Sequence, residues 1–214
     1  MATSESGIPG SFKGRIGNTV YYFLNGKWVS RSVARGSKPP TVFRRATQAK
    51  MGLGSTVLRD LKPFINVGFR QKAIVKKDNP SNVAKSYLLR HAMAGQYPDI
   101  SIDYAKLLVS EGPLLPAQDF SVVPEAEGLR FSWFADPGVP WPDYTDQVMM
   151  LAYFPVLGKA VCELYGPQRS QGTALLPVSA PMQSEYMETY VAFIAADRSA
   201  TSISVYTGSF NAIP

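Results

Sequence analysis

The chain carries one histidine, His91, and one cysteine, Cys162. A Ser–His–Asp triad would have to use His91, and no Gly-x-Ser-x-Gly elbow is present to hold its nucleophile. A thiol–imidazole pair could only join Cys162 to His91. Cys162, however, lies in the apolar run Ala160-Val-Cys-Glu-Leu164 and reads as a small buried hydrophobe. One residue of each kind excludes a cysteine-cluster zinc site, an internal disulfide and any site needing two imidazoles. Neither a Gly-x-x-x-x-Gly-Lys-Ser/Thr phosphate loop nor a Gly-x-Gly-x-x-Gly dinucleotide turn occurs. Oxygen ligands for a metal would come from Asp136, Asp143 and Asp146, in a proline-rich segment with Trp141; their spacing fits no calcium loop, and a solvated loop is expected. Glu185 and Glu188 are carboxylates of the type that glycoside hydrolysis uses, but only when one cleft holds both. The residues therefore point away from an enzyme and imply no cofactor.

What remains is cationic and aromatic. Lys13, Arg15, Lys27, Arg31, Arg35, Lys38, Arg44 and Arg45 are interleaved with Phe12, Tyr21, Tyr22, Phe23 and Trp28. Single-stranded nucleic acid is held in this way, with rings stacking on bases while Lys and Arg neutralise phosphates. Aromatic hairpins also serve as interfaces or core. Tyr21, Tyr22, Phe23, Lys27, Trp28, Arg31, Arg44 and Arg45 are accordingly the candidate interface or nucleic-acid residues. The net charge of +6 hides an asymmetry. Residues 1–100 hold 17 Lys/Arg against 4 Asp/Glu, a net of +13, whereas residues 101–214 hold 5 against 12, a net of −7. Such a split points to nucleic acid, to a membrane surface, to a charged partner, or to copies of the same chain meeting head to tail.

The elements that position these residues follow from local signals. Gly and Pro number 17 each in 214 residues, an excess that favours many turns and short strands. Residues 1–17 are small, polar and Gly-rich and read as an extended arm. Asn25-Gly26 between Thr19–Leu24 and Lys27–Val33 is a strong hairpin signal, because both residues accept the positive φ of a type I′ turn. That turn pairs Phe23 with Trp28 and Tyr21 with Ser30 on one face, and Tyr22 with Val29 and Val20 with Arg31 on the other. Thr41 then caps a helix over about 42–61, with Ala46, Ala49, Leu53, Val57 and Leu61 as its apolar stripe and Gly52 and Gly54 weakening its middle. Phe64–Phe69 reads as a short apolar connection and Arg70–Lys77 as a basic loop or edge strand. A second helix starts at the Asn79 cap with Pro80 in its first position and is stopped by Gly95; it carries His91 on an apolar face as a packed core or boundary residue.

From about residue 98 the period changes to two. Seven short strands follow: Phe120–Val123, Leu129–Phe134, Gln147–Tyr153, Ala160–Tyr165, Ala174–Val178, Tyr190–Ala195 and Ile203–Thr207. This spacing predicts an antiparallel β-sandwich of immunoglobulin/fibronectin-like type, with Trp133 pointing inward. The expected fold class is α+β: an N-terminal β-hairpin plus two helices, followed by that sandwich. The expected organisation is an arm over 1–17, a basic hairpin-and-helix region over 18–112 and the sandwich over 113–214.

The pieces Phe12-Lys-Gly14, Ile16-Gly-Asn18, Asn25-Gly-Lys27, Leu61-Lys-Pro63, Ile65-Asn-Val-Gly-Phe69, Phe131-Ser-Trp133 and Tyr190-Val-Ala-Phe193 occur in this order. In this the chain resembles an uncharacterised family, a domain of unknown function common in Bacteroidota. The resemblance covers nearly the whole chain, implies no activity and brings no catalytic residues. It implies that both halves belong to one recurring architecture.

No stretch approaches the ~18–20 apolar residues of a membrane span, and the start Met1-Ala-Thr-Ser-Glu-Ser-Gly7 has neither the basic nor the apolar region of a signal peptide. A protein of the cytoplasm, or one packaged from it, is expected. The leading functional expectation is a non-enzymatic, self-assembling structural protein, such as a filament, tube, shell or virion component, whose partners are other copies of itself. The alternative is a single-stranded nucleic-acid-binding protein that uses the basic aromatic half. A carbohydrate-binding or adhesion module would rest on the sandwich alone.

Overall fold

The computed structural model describes residues 3–4, 12–24, 26–33, 39–136, 138 and 143–212. Its contacts divide the chain into two units, Met1–Arg45 and Ala46–Pro214. The first is a four-stranded antiparallel sheet of β1 (Thr3–Ser4), β2 (Phe12–Ile16), β3 (Thr19–Leu24) and β4 (Lys27–Ser32), in that order. The register of β3 on β4 is the expected one: Phe23 faces Trp28, Tyr22 faces Val29 and Tyr21 faces Ser30. Gly26 has φ +77°, as the turn requires, and Asn25 lies outside the described residues. The segment anticipated as an arm contains β2, which pairs Gly14 with Tyr21 and Arg15 with Val20. A second tight turn at Gly17-Asn18 makes this possible, with Gly17 at φ +56° and nothing near its missing Cβ.

Helix α1 (Val42–Asp60) begins where Thr41 Oγ1 accepts from the Arg44 amide at 3.3 Å. The chain then stays helical in α2 (Lys62–Gly68) and α3 (Arg70–Lys76). This corrects the expected connection and the expected basic loop or edge strand. Backbone bonds from Ile65 to Leu61, Phe69 to Ile65 and Ala73 to Phe69 carry the helical pattern across both junctions. Leu61, Ile65, Phe69 and Ala73 recur every four residues and are all buried. Lys77 in the left-handed region ends α3. In α4 (Pro80–His91) the Asn79 side chain accepts from the Ser81 amide at 2.9 Å, as its cap signal predicts. The helix stops at His91. Gly95, expected as the stop, belongs instead to the hairpin of β5 (Met93–Gln96) and β6 (Asp99–Ile102), with φ +72°.

All seven expected strands of the second half are present: β7 (Ser121–Glu125), β8 (Gly128–Ser132), β9 (Gln147–Phe154), β10 (Lys159–Glu163), β11 (Thr173–Pro177), β12 (Met187–Ile194) and β13 (Val205–Phe210). A short α5 (Ala180–Gln183) joins β11 to β12. A three-stranded sheet, β11-β8-β7, and a four-stranded one, β10-β9-β12-β13, form the immunoglobulin/fibronectin-like sandwich. Between them lies a core of Leu129, Phe131, Trp133, Val148, Met150, Phe154, Leu176 and Phe193.

The other side of the four-stranded sheet is also covered. Met149, Leu151, Tyr153, Tyr190, Ala192 and Ile194 pack with Leu61, Phe64, Ile65, Phe69 and Leu88 of the helices. The unit Ala46–Pro214 is thus three layers deep, and this second core crosses residue 113. β9 and β12 are buried on both faces, which is why they read as continuous apolar runs rather than as alternation. Two glycines allow close approach. A Cβ on Gly54 would stand 3.0 Å from Leu88 Cδ2, and one on Gly68 would stand 2.5 Å from the Val109 carbonyl. The Gly68 carbonyl collects three donors, the Glu111 amide at 3.0 Å, Ser110 Oγ at 3.2 Å and Thr201 Oγ1 at 3.1 Å, and so ties α2 to the sandwich.

Candidate interaction surface

Antiparallel partners share a face, so the register sorts the N-terminal sheet into two sides. Ile16, Tyr21, Phe23 and Trp28 fall on one side, and Lys13, Arg15, Tyr22, Lys27, Val29 and Arg31 on the other. The apolar side is open to solvent: Ile16 is 47%, Phe23 54% and Trp28 42% exposed. The Phe23 and Trp28 rings meet edge to face with centroids 5.2 Å apart, the expected geometry for two opposed quadrupoles. On the cationic side the Arg31 guanidinium lies 6.0 Å from the centre of the Tyr22 ring. Arg15 Nε donates to the Gly17 carbonyl at 2.9 Å. Among the described residues no carboxylate pairs with Lys13, Arg15, Lys27 or Arg31. The sequence has no Asp or Glu between Glu5 and Asp60.

The structure thus separates the candidate residues into two groups. Tyr21, Phe23 and Trp28 form the aromatic side, Tyr22, Lys27 and Arg31 the cationic one, and Arg44 and Arg45 sit exposed on the first turn of α1, outside the sheet. Lys13, Arg15 and Ile16 join these sides through β2, an addition that the arm reading concealed. The signal for it was the alternation Phe12-Lys-Gly-Arg-Ile16 before Gly17-Asn18.

The residues considered for catalysis differ in their surroundings. His91 is exposed, a correction to its expected packed position, and its ring tilts against Tyr87 at 4.6 Å. Cys162 packs half-buried against the helix-side core, and burial pushes its thiol up. Glu188 is buried and accepts from Tyr186 and, at 2.6 Å, from Tyr206. Asp146 is buried as well, against the expectation of a solvated loop, and pairs with Arg169 at 3.3 Å. Among the described residues no cluster of three His, Cys, Asp or Glu side chains is placed to hold a metal, and no helix is long and apolar enough to cross a membrane.

A family of unknown function (DUF6266) matches residues 11–208. The chain belongs to the DUF6266 family. The match begins one residue before β2 and ends inside β13, so it spans β2 to β4 of the N-terminal sheet as well as the sandwich. No curated protein matches this DUF6266 chain.

Proposed function

We propose that the protein is a non-enzymatic structural component that assembles with copies of itself, the N-terminal sheet of one copy docking on the acidic half of the next. One observation carries this reading: none of residues 13–24, 26–33 and 39–45 is buried, although the sheet presents Ile16, Tyr21, Phe23 and Trp28 together on one side. A sheet with an apolar face gains its stability by burying that face against another layer, and a partner copy provides one. Charge supplies direction. Among the acidic residues of the second half, Asp119 and Glu127 are exposed and free to meet cations of another copy by position. Glu125 is engaged by Arg130 of its own sheet, and Asp146 by Arg169. Contacts between unlike surfaces propagate into rings or filaments, as in a tube, shell or virion component made in the cytoplasm.

Sedimentation of the purified chain against concentration and salt tests this. Assembly at low salt should weaken with added salt and with Phe23→Ser plus Trp28→Ser. The pair Lys27→Glu and Arg31→Glu should abolish it, and Asp119→Lys with Glu127→Lys should restore it. A monomer under all these conditions overturns the reading.

A second reading rests on the cationic side. Four cations on the Tyr22 side of the sheet, none paired with a carboxylate among the described residues, suit a single nucleic-acid strand, with phosphates on Lys13, Arg15, Lys27 and Arg31 and a base on Tyr22. It would compete with assembly for Lys27 and Arg31, because both uses draw on the cationic side of the sheet, whereas Phe23 and Trp28 lie on the other side.

A further inference from the structure

A cleft of about 250 Å³ opens between α3 and α4, where Lys72, Lys76, Tyr87, Arg90, His91 and Glu111 line it. Beside it is a second cavity of about 460 Å³ with apolar walls from Val75, Pro113, Ala200 and Ile203. Lys72 and Glu111 line both, so their ion pair stands where the two spaces meet. The larger volume lies within the ~300–1,000 Å³ usual for small-molecule sites.

Three features give the paired cleft a chemical preference. The first is charge: three cations face one carboxylate. Burial lowers the Lys72 pKa, and Lys76 and then Arg90 lower it further, so these cations act on one another. A bound anion would relieve that repulsion. The second is an orphan: Glu111 Oε1 is taken by Lys72, but Oε2 is buried without a hydrogen-bond partner among the described atoms. A buried acceptor left unpaired is costly, and a donor on a ligand would satisfy it. The third is exposed apolar surface at the larger mouth, where Val75 is 79% and Ile203 45% exposed. The support is rigid, because the Gly68 carbonyl pins the Glu111 amide at 3.0 Å and Gly112 is held against the Thr201 carbonyl.

We propose that this cleft binds a small organic anion with an apolar body and a hydrogen-bond donor near its head, such as a hydroxylated fatty carboxylate. The head sits among Lys72, Lys76 and Arg90, the hydroxyl donates to Glu111 Oε2, and the chain fills the cavity beside Val75 and Ile203. The Tyr87–His91 ring pair walls the polar side.

Isothermal titration of the full chain with 3-hydroxydecanoate, decanoate and decan-1-ol tests the proposal. The hydroxy acid should bind tightest and the alcohol weakest. Lys76→Glu with Arg90→Glu should weaken the hydroxy acid about tenfold or more. Both side chains are exposed, so the variant should fold, and circular dichroism checks that. Ile203→Asp, on the apolar side, should weaken it comparably. Absence of binding, equal binding of the alcohol, or affinities unmoved by both variants would overturn the assignment.

Discussion

Asp146 and Arg169 form an ion pair at 3.3 Å with their side chains only 4% and 8% exposed. The arginine is the centre of a buried knot. Its guanidinium also donates to the Leu115 carbonyl at 2.6 Å and lies 3.8 Å from the centre of the Phe193 ring, while its own carbonyl accepts from Trp133 Nε1 at 2.8 Å. The knot joins the loop before β7, the end of β8 and the start of β9. Removing one partner of such a pair leaves an uncompensated charge, which makes the pair a specifying feature more than a stabilising one.

Burial pushes the Asp146 carboxyl up to about 6, with Arg169 pulling it down and Asp143 pushing it up. Its pKa in the native state therefore exceeds its unfolded value, and the native state holds the proton more tightly. The stability this group contributes is complete below about pH 4 and is lost as pH rises through about 6. Wild type minus Asp146→Asn, compared by urea unfolding, should fall by about 2–3 kcal/mol from pH 4 to 7 and then level off. A difference that is flat or rises with pH contradicts the assignment.

Two glycines should respond in opposite directions. Gly68→Ala drives a Cβ to 2.5 Å from the Val109 carbonyl and 2.9 Å from Ser110, both backbone neighbours that cannot swing away. A loss of about 1–3 kcal/mol is expected. Gly52 in α1 has nothing within 4 Å, so Gly52→Ala should gain about 0.5–1 kcal/mol from helix propensity alone. Denaturant midpoints measured side by side decide both.

Alkali should unfold the protein through its buried and half-buried tyrosines. Burial, followed by the charges of Glu188 and Asp60, pushes Tyr104 up to about 12; burial, followed by the bond to Glu188, pushes Tyr206 up to about 12. Tyr190 moves in the same direction, mainly by burial. Their native pKa values exceed the unfolded ones, so the stability they carry is full below about pH 10 and lost as pH climbs toward 12. Phenolate absorbance should rise late, together with loss of the far-ultraviolet dichroism. An early rise with dichroism intact would show these phenols to be freely titrating.

Tyr22 and Trp28, on opposite sides of the N-terminal sheet, should be separable by mutation. Tyr22→Ala should weaken binding of a single-stranded oligonucleotide by about 1–3 kcal/mol, and Lys27→Ala should reduce its salt slope by about 1. Trp28→Ala, on the opposite side, should leave oligonucleotide affinity alone while lowering the assembled fraction. Oligonucleotide binding that is absent even at low salt would remove the second reading and leave assembly standing.

Local chemistry was enough to specify much of this protein from its residues alone. A two-residue turn permits one register, so Phe23 opposite Trp28 follows from Asn25-Gly26 without knowledge of the rest. Thr41 and Asn79 announce helix starts because their side chains replace backbone partners within three residues. The seven strands of the sandwich are marked by turns at either end. Tertiary structure alone decided the rest. Asp146 with Arg169, and Lys72 with Glu111, lie 23 and 39 residues apart in the chain. Nothing local distinguishes Asp146 from exposed Asp136, and burial is a property of what packs over a residue. The alternation of Met149 and Met150 between two cores likewise depended on the helices covering the sheet. Backbone preference acts over a few residues, whereas the partners of a buried group are chosen by packing across the whole chain.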